Sequence, residues 1–138
     1  MNELIAYLVA IKGFCKNIHY TTHGDAFYGK HIFADKISDP LDEYIDSIKE
    51  TCLLGHLPEG ERPLETSAYD KLAEKYYPQL SETNDKENFK NIQDLIIAAL
   101  NHIEILTDLS KGEENLIGAI AEHLQQMNGL LNLQNFKE

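Results

Sequence analysis

The segment HIFADKISDPLDEYIDSIKE, residues 31–50, has two different faces when it is drawn as a helix. At about 100° per residue, its metal-ligand side chains fall inside a stripe roughly 100° wide. That stripe consists of His31, Asp35, Asp39, Asp42, Asp46 and Glu50. The opposite side is apolar and consists of Phe33, Ala34, Ile37, Leu41, Tyr44, Ile45, Ile48 and Cys52. The pattern predicts a helix from about Tyr28 to Leu54 that packs one face into a core and leaves the other charged.

The charged stripe is symmetric about a point between residues 40 and 41. The pairs 31/50, 35/46 and 39/42 are each centred on that point. Within one chain, Asp35 and Asp46 are separated by roughly 16 Å of helix rise, whereas metal ligands lie about 2.0–2.6 Å from the ion. Two antiparallel copies related by a two-fold axis solve this problem and form two equivalent sites. The alternative is a solvated acidic face with no ligand function.

Residues just before this helix extend the series of possible metal ligands toward the N-terminus. His19, Gly24 and Phe27 are followed by His31, and the acids then come in the order Asp35, Asp46 and Glu50. This arrangement resembles the Dps family of mini-ferritins, whose pattern is His-Trp-x-x-x-Gly-x-x-Phe, then His with an acid four residues later, then Asp and Glu four residues apart. The resemblance is close over about residues 1–55, and beyond them it extends only to the order of the helices.

The sequence departs from the family pattern at four places. Tyr20 stands where the family usually has Trp, Lys30 where an aliphatic residue precedes the second His, and Thr51 where an Arg commonly follows the Glu. Pro40 lies in the middle of the charged helix. Because proline lacks a backbone donor and clashes with the preceding turn, we expect a kink there, or a restart of the helix with Ser38 or Asp39 as its cap.

Helical periodicity also dominates the rest of the chain, and no strand-like alternation competes with it. A first helix is marked by Leu4, Ile5, Leu8, Ile11, Cys15 and Ile18, a third by Phe89, Ile92, Leu95, Ile96, Ala99, Ile103 and Leu106, and a fourth by Leu116, Ile117, Ile120, Leu124, Met127 and Leu131. Lys111-Gly112 is expected to separate the last two. After a loop over residues 56–63, Ser67 is expected to cap a short helix that ends before Pro78.

These elements predict an all-α protein with a single domain over residues 1–138. Four long helices, with a short helix in the crossover between the second and third, are typical of a ferritin-like four-helix bundle. Such bundles often hold a metal inside one subunit through Glu-x-x-His pairs. The sequence contains no Glu-x-x-His, so the site between subunits is the coherent candidate.

The resemblance implies a ferroxidase that oxidises ferrous iron, with hydrogen peroxide as the preferred oxidant, and stores the ferric mineral. The implied shell has twelve subunits built from two-fold dimers. Each inter-subunit site would hold one or two iron ions through His19, His31 and Asp35 of one chain and Asp46 and Glu50 of the other. Histidine with carboxylates suits iron, manganese or zinc. Asp39, Asp42 and Glu43 are candidates for nucleating the mineral.

Several other residues are candidates for secondary roles. Asp108, Glu113 and Glu114 lie before the fourth helix and match a region that forms an iron-entry pore in the family, although the helix dipole also explains acids there. The other histidines, His23, His56, His102 and His123, have no partner at ligand spacing and are expected to be surface or hydrogen-bonded side chains. Cys15 and Cys52 lie in apolar patterns and are expected to be buried reduced thiols.

Charge argues against a nucleic-acid partner. The formal net charge is −11 and there is one arginine, so few cations are present to contact phosphates, and we expect no DNA binding.

The sequence contains no run of eighteen or more apolar residues, so no membrane span is predicted. The start, Met1 to Leu4, lacks the features of a secretory signal and favours a cytoplasmic location. Two alternatives stay open: a catalytically silent ferritin-like shell or scaffold with a structural metal at the dimer interface, and a DNA-compacting relative.

Overall fold

Helices account for all the regular structure in the computed structural model, which describes residues 1–136. No β-strand occurs in that range. The α-helices are α1 (Asn2–Thr21), α2 (Phe27–Ser38), α3 (Leu41–Ile48), α4 (Thr66–Ala73), α5 (Asp85–Glu104) and α6 (Lys111–Gln134). A π-helical turn (Lys49–Leu53) and a 3₁₀ turn (Leu54–His56) extend α3. The prediction of an all-α fold is confirmed. None of the helices in the described range is both long and apolar enough to cross a membrane.

The core lies between α1 and its neighbours. Helix α1 packs against α2, α3, α4 and α5, and α6 packs against α5 and α3. Its periodic apolar residues explain this central position, because Leu4, Leu8, Ile11, Cys15 and Ile18 are all buried. Buried side chains from every α-helix join one continuous hydrophobic cluster. The short helix α4 contributes Tyr69, whose hydroxyl donates a 2.5 Å hydrogen bond to Oδ1 of Asn2 in α1.

The apolar side of residues 31–52 is buried as predicted. Ala34, Ile37, Leu41, Ile45, Ile48 and Cys52 are buried, and Phe33 and Tyr44 are partly buried against them. The interruption expected at Pro40 is present, since α2 ends at Ser38 and α3 begins at Leu41. Asp39 and Pro40 both keep right-handed helical dihedral angles. The break therefore removes a backbone donor without turning the chain out of its helical path.

The cap expected at this break is absent. Pro40 itself holds the N-cap position of α3, and no side chain there accepts a capping hydrogen bond. Of the two alternatives for Pro40, a restart capped by Ser38 or Asp39 is not found, because helical dihedrals continue through Asp39 and no side chain makes a capping hydrogen bond to α3. His123 of α6 contributes another contact near the break, with its Nε2 lying 2.9 Å from the carbonyl oxygen of Ile37.

The helix changes its hydrogen-bonding pattern after Ile48. Residues Lys49–Leu53 form a π turn, in which backbone bonds join residues i and i+5 instead of i and i+4. The angular register of about 100° per residue that places Glu50 on the charged stripe therefore holds only up to Ile48. Glu50 is exposed within the π turn. The spacing of the charged stripe, which assumes a regular α-helix, therefore does not determine where the Glu50 side chain points.

Two predicted helix boundaries are wrong. Helix α4 begins at Thr66 with Glu65 as its N-cap, so Ser67 lies inside the first turn and does not cap it. Lys111 and Gly112 are the first two residues of α6 and do not separate it from α5. Ser110 is the true N-cap, and with Glu113 it forms a reciprocal capping box. This pair satisfies two backbone donors, which explains why the helix tolerates a glycine in its first turn.

A polar network joins the paired ends of α5 and α6. Nε2 of the buried Gln93 donates to Oδ1 of Asn128 at 3.0 Å and of Asn132 at 2.6 Å. Its Oε1 accepts from Nδ2 of Asn135 at 2.8 Å. Because these amides bond to one another, a buried polar side chain is accommodated between the helices.

Candidate metal centre

His19 and His31 lie side by side although twelve residues separate them. His19 is in the last turn of α1 and His31 in the second turn of α2. The connection between these helices turns through Gly24, whose φ of 72° is a conformation that favours glycine. The two imidazole rings stack with their centroids 3.5 Å apart and their planes 27° from parallel. The structure thus brings together the two histidines singled out in the sequence.

Hydrogen bonds fix the orientation of both rings. Nδ1 of His31 donates to the carbonyl oxygen of His19 at 2.7 Å. Nδ1 of His19 lies 2.9 Å from Oδ1 of Asp35, and the carbonyl oxygen of His31 is more distant at 3.4 Å. With a proton on each Nδ1, each Nε2 keeps its lone pair, and that is the form in which neutral histidine binds metals. A carboxylate or carbonyl on the second ring nitrogen is a common support for such ligands.

Asp35 is part of this cluster, but one of its oxygens is already engaged. Oδ1 holds His19, and only Oδ2 remains for another partner. Among residues 1–136, no group of three His, Cys, Asp or Glu side chains is arranged so that it could hold a metal ion. The cluster of His19, His31 and Asp35 is therefore an incomplete ligand set within one chain.

Asp46 and Glu50 do not join the cluster in the same chain. Asp46 lies on α3, on the far side of the Pro40 break, and Glu50 lies in the π turn. Both are exposed. Asp46 lines a groove between α1, α3 and α4 that has a volume of about 430 Å³ and also contains Lys49 and Asp70. These two acids are accessible to another molecule, and their own chain gives them no metal partner within the described residues.

An exposed apolar patch surrounds the histidine pair. It consists of Tyr20, Phe27, Tyr28 and Ile32, whose exposed fractions are 74%, 49%, 67% and 45%. The ring of Tyr20 meets that of His19 edge-on at 4.9 Å, and those of Phe27 and Tyr28 each lie 6.4 Å from that of His31. At about 100° per residue, Phe27, Tyr28, His31, Ile32 and Asp35 share one side of α2. Clusters of exposed apolar side chains mark interaction surfaces.

Lys30 and Asp85 anchor the loop that links the histidines. Nζ of Lys30 lies 3.1 Å from Oδ2 of the buried Asp85 at the start of α5. The same oxygen accepts from the backbone N–H of His23 at 3.2 Å. Sequence reasoning missed this pair, although Lys30 stands out as a cation where the family pattern has an aliphatic residue. A buried carboxylate elsewhere in the chain is the partner that such a cation requires.

The three candidates for mineral nucleation differ in their environment. Asp42 is paired with Lys12, whose Nζ lies 2.6 Å from its Oδ1. Asp39 and Glu43 are exposed, and neither forms an ion pair within residues 1–136. The lysine neutralises part of the charge at the centre of the stripe, so Asp42 is a weaker candidate than its neighbours.

Glu113 is buried within its own chain. Its side chain is 5% exposed, and its Oε1 accepts from the N–H of Ser110 and lies 3.1 Å from Nε2 of His56. Burial raises the pKa of this carboxyl group, but the hydrogen bonds from Ser110 and His56 outweigh burial and leave the pKa below its usual value. The capping box and His56 take up the side chain of Glu113, which makes it a weaker candidate for a pore acid than its neighbours. Asp108 and Glu114 are exposed.

Both cysteines are free and buried, as expected. Burial, and secondarily the charge of Asp35, raises the pKa of the Cys15 thiol far above its usual range. Burial, followed by the charge of Glu113, raises the pKa of Cys52 to about 11. Neither thiol is a thiolate at neutral pH, which makes both poor nucleophiles and poor metal ligands.

The remaining histidines have structural contacts. His56 contacts Glu113, His123 contacts the Ile37 carbonyl, and Nδ1 of His23 lies 2.9 Å from the Thr21 carbonyl. The ring of His102 packs against that of Tyr7 at 5.3 Å, and burial lowers the pKa of His102.

No protein-family model matches this sequence, and neither does any curated protein.

Proposed function

We propose that this protein is a mini-ferritin of the Dps type that oxidises ferrous iron at sites shared by two subunits. On this proposal the fold is a ferritin-like four-helix bundle. Its long helices are α1, α2 continued by α3, α5 and α6, and α4 lies in the crossover between the second and third. Iron is the substrate and the stored cargo, and the active unit is a homo-oligomer, a dodecamer built from two-fold dimers.

The observation that carries the proposal is the stacked pair of His19 and His31. Two imidazoles from different helices are held 3.5 Å apart by hydrogen bonds at Nδ1, with Asp35 beside them. The alternative interpretation, a solvated acidic face without ligand function, does not explain this pair of histidines. Two Nε2 lone pairs and a carboxylate oxygen supply part of the mixed nitrogen and oxygen ligand set that suits ferrous iron.

The second chain supplies the rest of the ligands in this proposal. Asp46 and Glu50 are exposed and lack a metal partner in their own chain. The apolar patch of Tyr20, Phe27, Tyr28 and Ile32 would be covered by the second copy, so the same contact both buries the patch and completes the site. An isologous two-fold contact does this twice, because each subunit gives histidines to one site and acids to the other.

The proposed reaction is balanced with hydrogen peroxide as the oxidant. Two ferrous ions each lose one electron, the O–O bond of one peroxide breaks, and two protons complete two water molecules. Anionic carboxylates stabilise the ferric product more than the ferrous reactant, which supplies driving force. Asp46 and Glu50 would provide this charge, and the histidines would hold the ion. Asp35 orients His19 through Oδ1, and to ligate the same ion as Nε2 of His19 it would turn away from that contact.

The test is to add ferrous iron to the anaerobic protein and then hydrogen peroxide. We expect rapid ferric absorbance in the unmodified protein, and loss of most of this rate in the double variant His31→Ala with Asp35→Ala. The matched control is His56→Ala with Glu59→Ala, which removes one imidazole and one carboxylate away from the cluster. Equal rates in the two double variants would contradict the proposal.

A silent shell with a structural metal is the second candidate. Two imidazoles close together also suit zinc, which has no redox chemistry. In that case the histidine pair would lock the dimer without oxidising iron. Tight metal binding that depends on His31, together with an iron oxidation rate no faster than that of the His31→Ala variant, would favour this candidate over the ferroxidase.

A further inference from the structure

We propose that a cavity between the first turn of α2, the start of α5 and the end of α6 binds a phosphate group. The group is either free inorganic phosphate or part of a small organic molecule. The cavity has a volume of about 720 Å³, and its lining includes Lys30, Lys86, Lys90, Phe136 and Asn135. This size lies within the range of about 300–1,000 Å³ that is usual for small-ligand sites. The proposal is independent of the metal centre.

Positive charge is concentrated in this cavity against the trend of the whole chain. The protein has 23 acidic residues against 12 lysines and arginines, yet three lysines and one carboxylate line the cavity. The carboxylate, Asp85, is already occupied by Nζ of Lys30 and the N–H of His23. What remains for a ligand is a surplus of ammonium groups.

Lys86 and Lys90 are the two lysines of the cavity that have no buried carboxylate partner. They stand four residues apart on α5, where like charges repel. Both are exposed. Lys86 has no carboxylate partner among residues 1–136, and Lys90 pairs only with the exposed Asp94, at 3.1 Å. An exposed ion pair of this kind contributes little. An anion between the two lysines would relieve their repulsion.

A multiply charged anion fits this arrangement better than a single carboxylate. Two ammonium groups of α5, those of Lys86 and Lys90, border the cavity, and Lys30 of α2 lies beside them in its pair with Asp85. A ligand with several oxygens can meet both lysines of α5. Lysine is a common phosphate ligand because its ammonium acts as a compact point charge. The ring of Phe136, which is 71% exposed, offers a flat surface at the rim of the cavity. A nucleoside monophosphate could place its base there while its phosphate meets the lysines.

Calorimetric titration and backbone amide NMR spectra of the metal-free protein test this proposal, with inorganic phosphate and AMP as separate probes at low ionic strength. We expect saturable binding and amide shifts at the start of α5. The double variant Lys86→Ala with Lys90→Ala should weaken binding at least about tenfold, since each lost hydrogen bond to a charged group costs about 1.5 kcal/mol or more. Its circular dichroism spectrum should be unchanged.

The matched control is Lys71→Ala with Lys75→Ala, which removes two exposed lysines at the same spacing elsewhere. If both double variants lose affinity equally, the attraction is nonspecific and the proposal is overturned. Absence of saturable binding of either probe at millimolar concentrations also overturns it. Tighter binding of AMP, lost in Phe136→Ala, would identify an organic phosphate as the ligand, and equal affinities would identify the free anion. No iron is present, so the outcome does not depend on the proposed ferroxidase activity.

Discussion

At the scale of single residues, Glu113 is the least exposed acid among residues 1–136. It closes the first turn of α6 by accepting from the N–H of Ser110, while Oγ of Ser110 accepts from the N–H of Glu113. His56 contacts the same carboxylate. Acids at the start of a helix are usually explained by the helix dipole alone, but here specific hydrogen bonds at a buried position define the role.

We predict that Glu113→Ala lowers the free energy of unfolding by about 1 kcal/mol at neutral pH, as expected for loss of a capping residue. Because the pKa of Glu113 is lowered in the folded protein, its charged form contributes stability above the pKa of the unfolded chain. That contribution is lost as pH falls through the lower pKa of the folded chain. Urea denaturation at neutral pH and at pH values below about 4.5 should show the difference between variant and parent shrinking with acid.

Glu114→Ala is the control for this prediction, because Glu114 is an exposed acid in the same helical turn. We expect it to change the free energy of unfolding by less than about 0.5 kcal/mol. If the two variants are equally unstable, the loss comes from the general charge of the turn, and the specific bonds of Glu113 contribute nothing measurable.

The sequence predicted that His19, His31 and Asp35 lie together but not all of their surroundings. His19 and His31 could be paired because helices joined by a short loop pack antiparallel, so residues near the loop must approach one another. The contact between Lys30 and Asp85 could not be predicted in this way. These residues are 55 positions apart, and nothing local to either of them indicates which of the many acids is the partner.

At the scale of the helices, apolar periodicity predicted every long element, because burial of one helical face is a local property of the sequence. The ends were less predictable. Gly112 suggested a break, but the capping box formed by Ser110 and Glu113 overrides the low helix propensity of glycine. The π turn after Ile48 has no signal in the apolar pattern, since it depends on how the end of the helix packs against its neighbours.

Helices α5 and α6 are joined by the amide network around Gln93, and we predict that Gln93→Leu lowers the free energy of unfolding by about 2 kcal/mol. The substitution removes the donor to Asn128 and Asn132 and the acceptor of Asn135. The partly buried Asn128 and Asn135 would lose a partner that water replaces incompletely. Chemical denaturation measures the loss.

Gln125→Leu is the matched control, because Gln125 is exposed on α6 and its replacement changes the same chemical groups. We expect a change within about 0.5 kcal/mol. A neutral or stabilising effect of Gln93→Leu would mean that apolar contact between the helices compensates for the network, and that the amides specify the helix pairing at no gain in stability.

At the scale of the whole molecule, negative charge and the apolar patch have opposite effects on association. A net charge of −11 repels copies of the chain from one another. The patch around the histidine pair favours contact, because Tyr20, Tyr28 and Ile32 expose apolar surface. Cations bound between facing acids would remove much of the repulsion.

We predict that Ile32→Glu reduces the oligomer to smaller species, because it places a charge in the proposed two-fold contact. Analytical ultracentrifugation should show a lower mass for this variant than for the parent, and its helical circular dichroism should be unchanged. Iron oxidation should fall with the mass, since neither subunit alone has a complete ligand set.

Ile105→Glu tests whether any exposed apolar position would have the same effect. Ile105 is 71% exposed at the end of α5, outside the patch, and we expect this variant to keep the mass of the parent. An unchanged mass in Ile32→Glu would show that the patch is not the contact surface, and the shared site would then have to be abandoned.

The hydrogen bonds that orient His19 and His31 have a consequence for the iron exchange that we propose. Backbone carbonyls and Asp35 hold the rings in place, so the energy that positions them comes from folding of the α1–α2 hairpin and not from an ion. The two imidazole side chains would therefore lose little conformational entropy on binding an ion. If iron binds here as we propose, a chain stripped of it by a chelator would keep both rings in place for the next round of uptake.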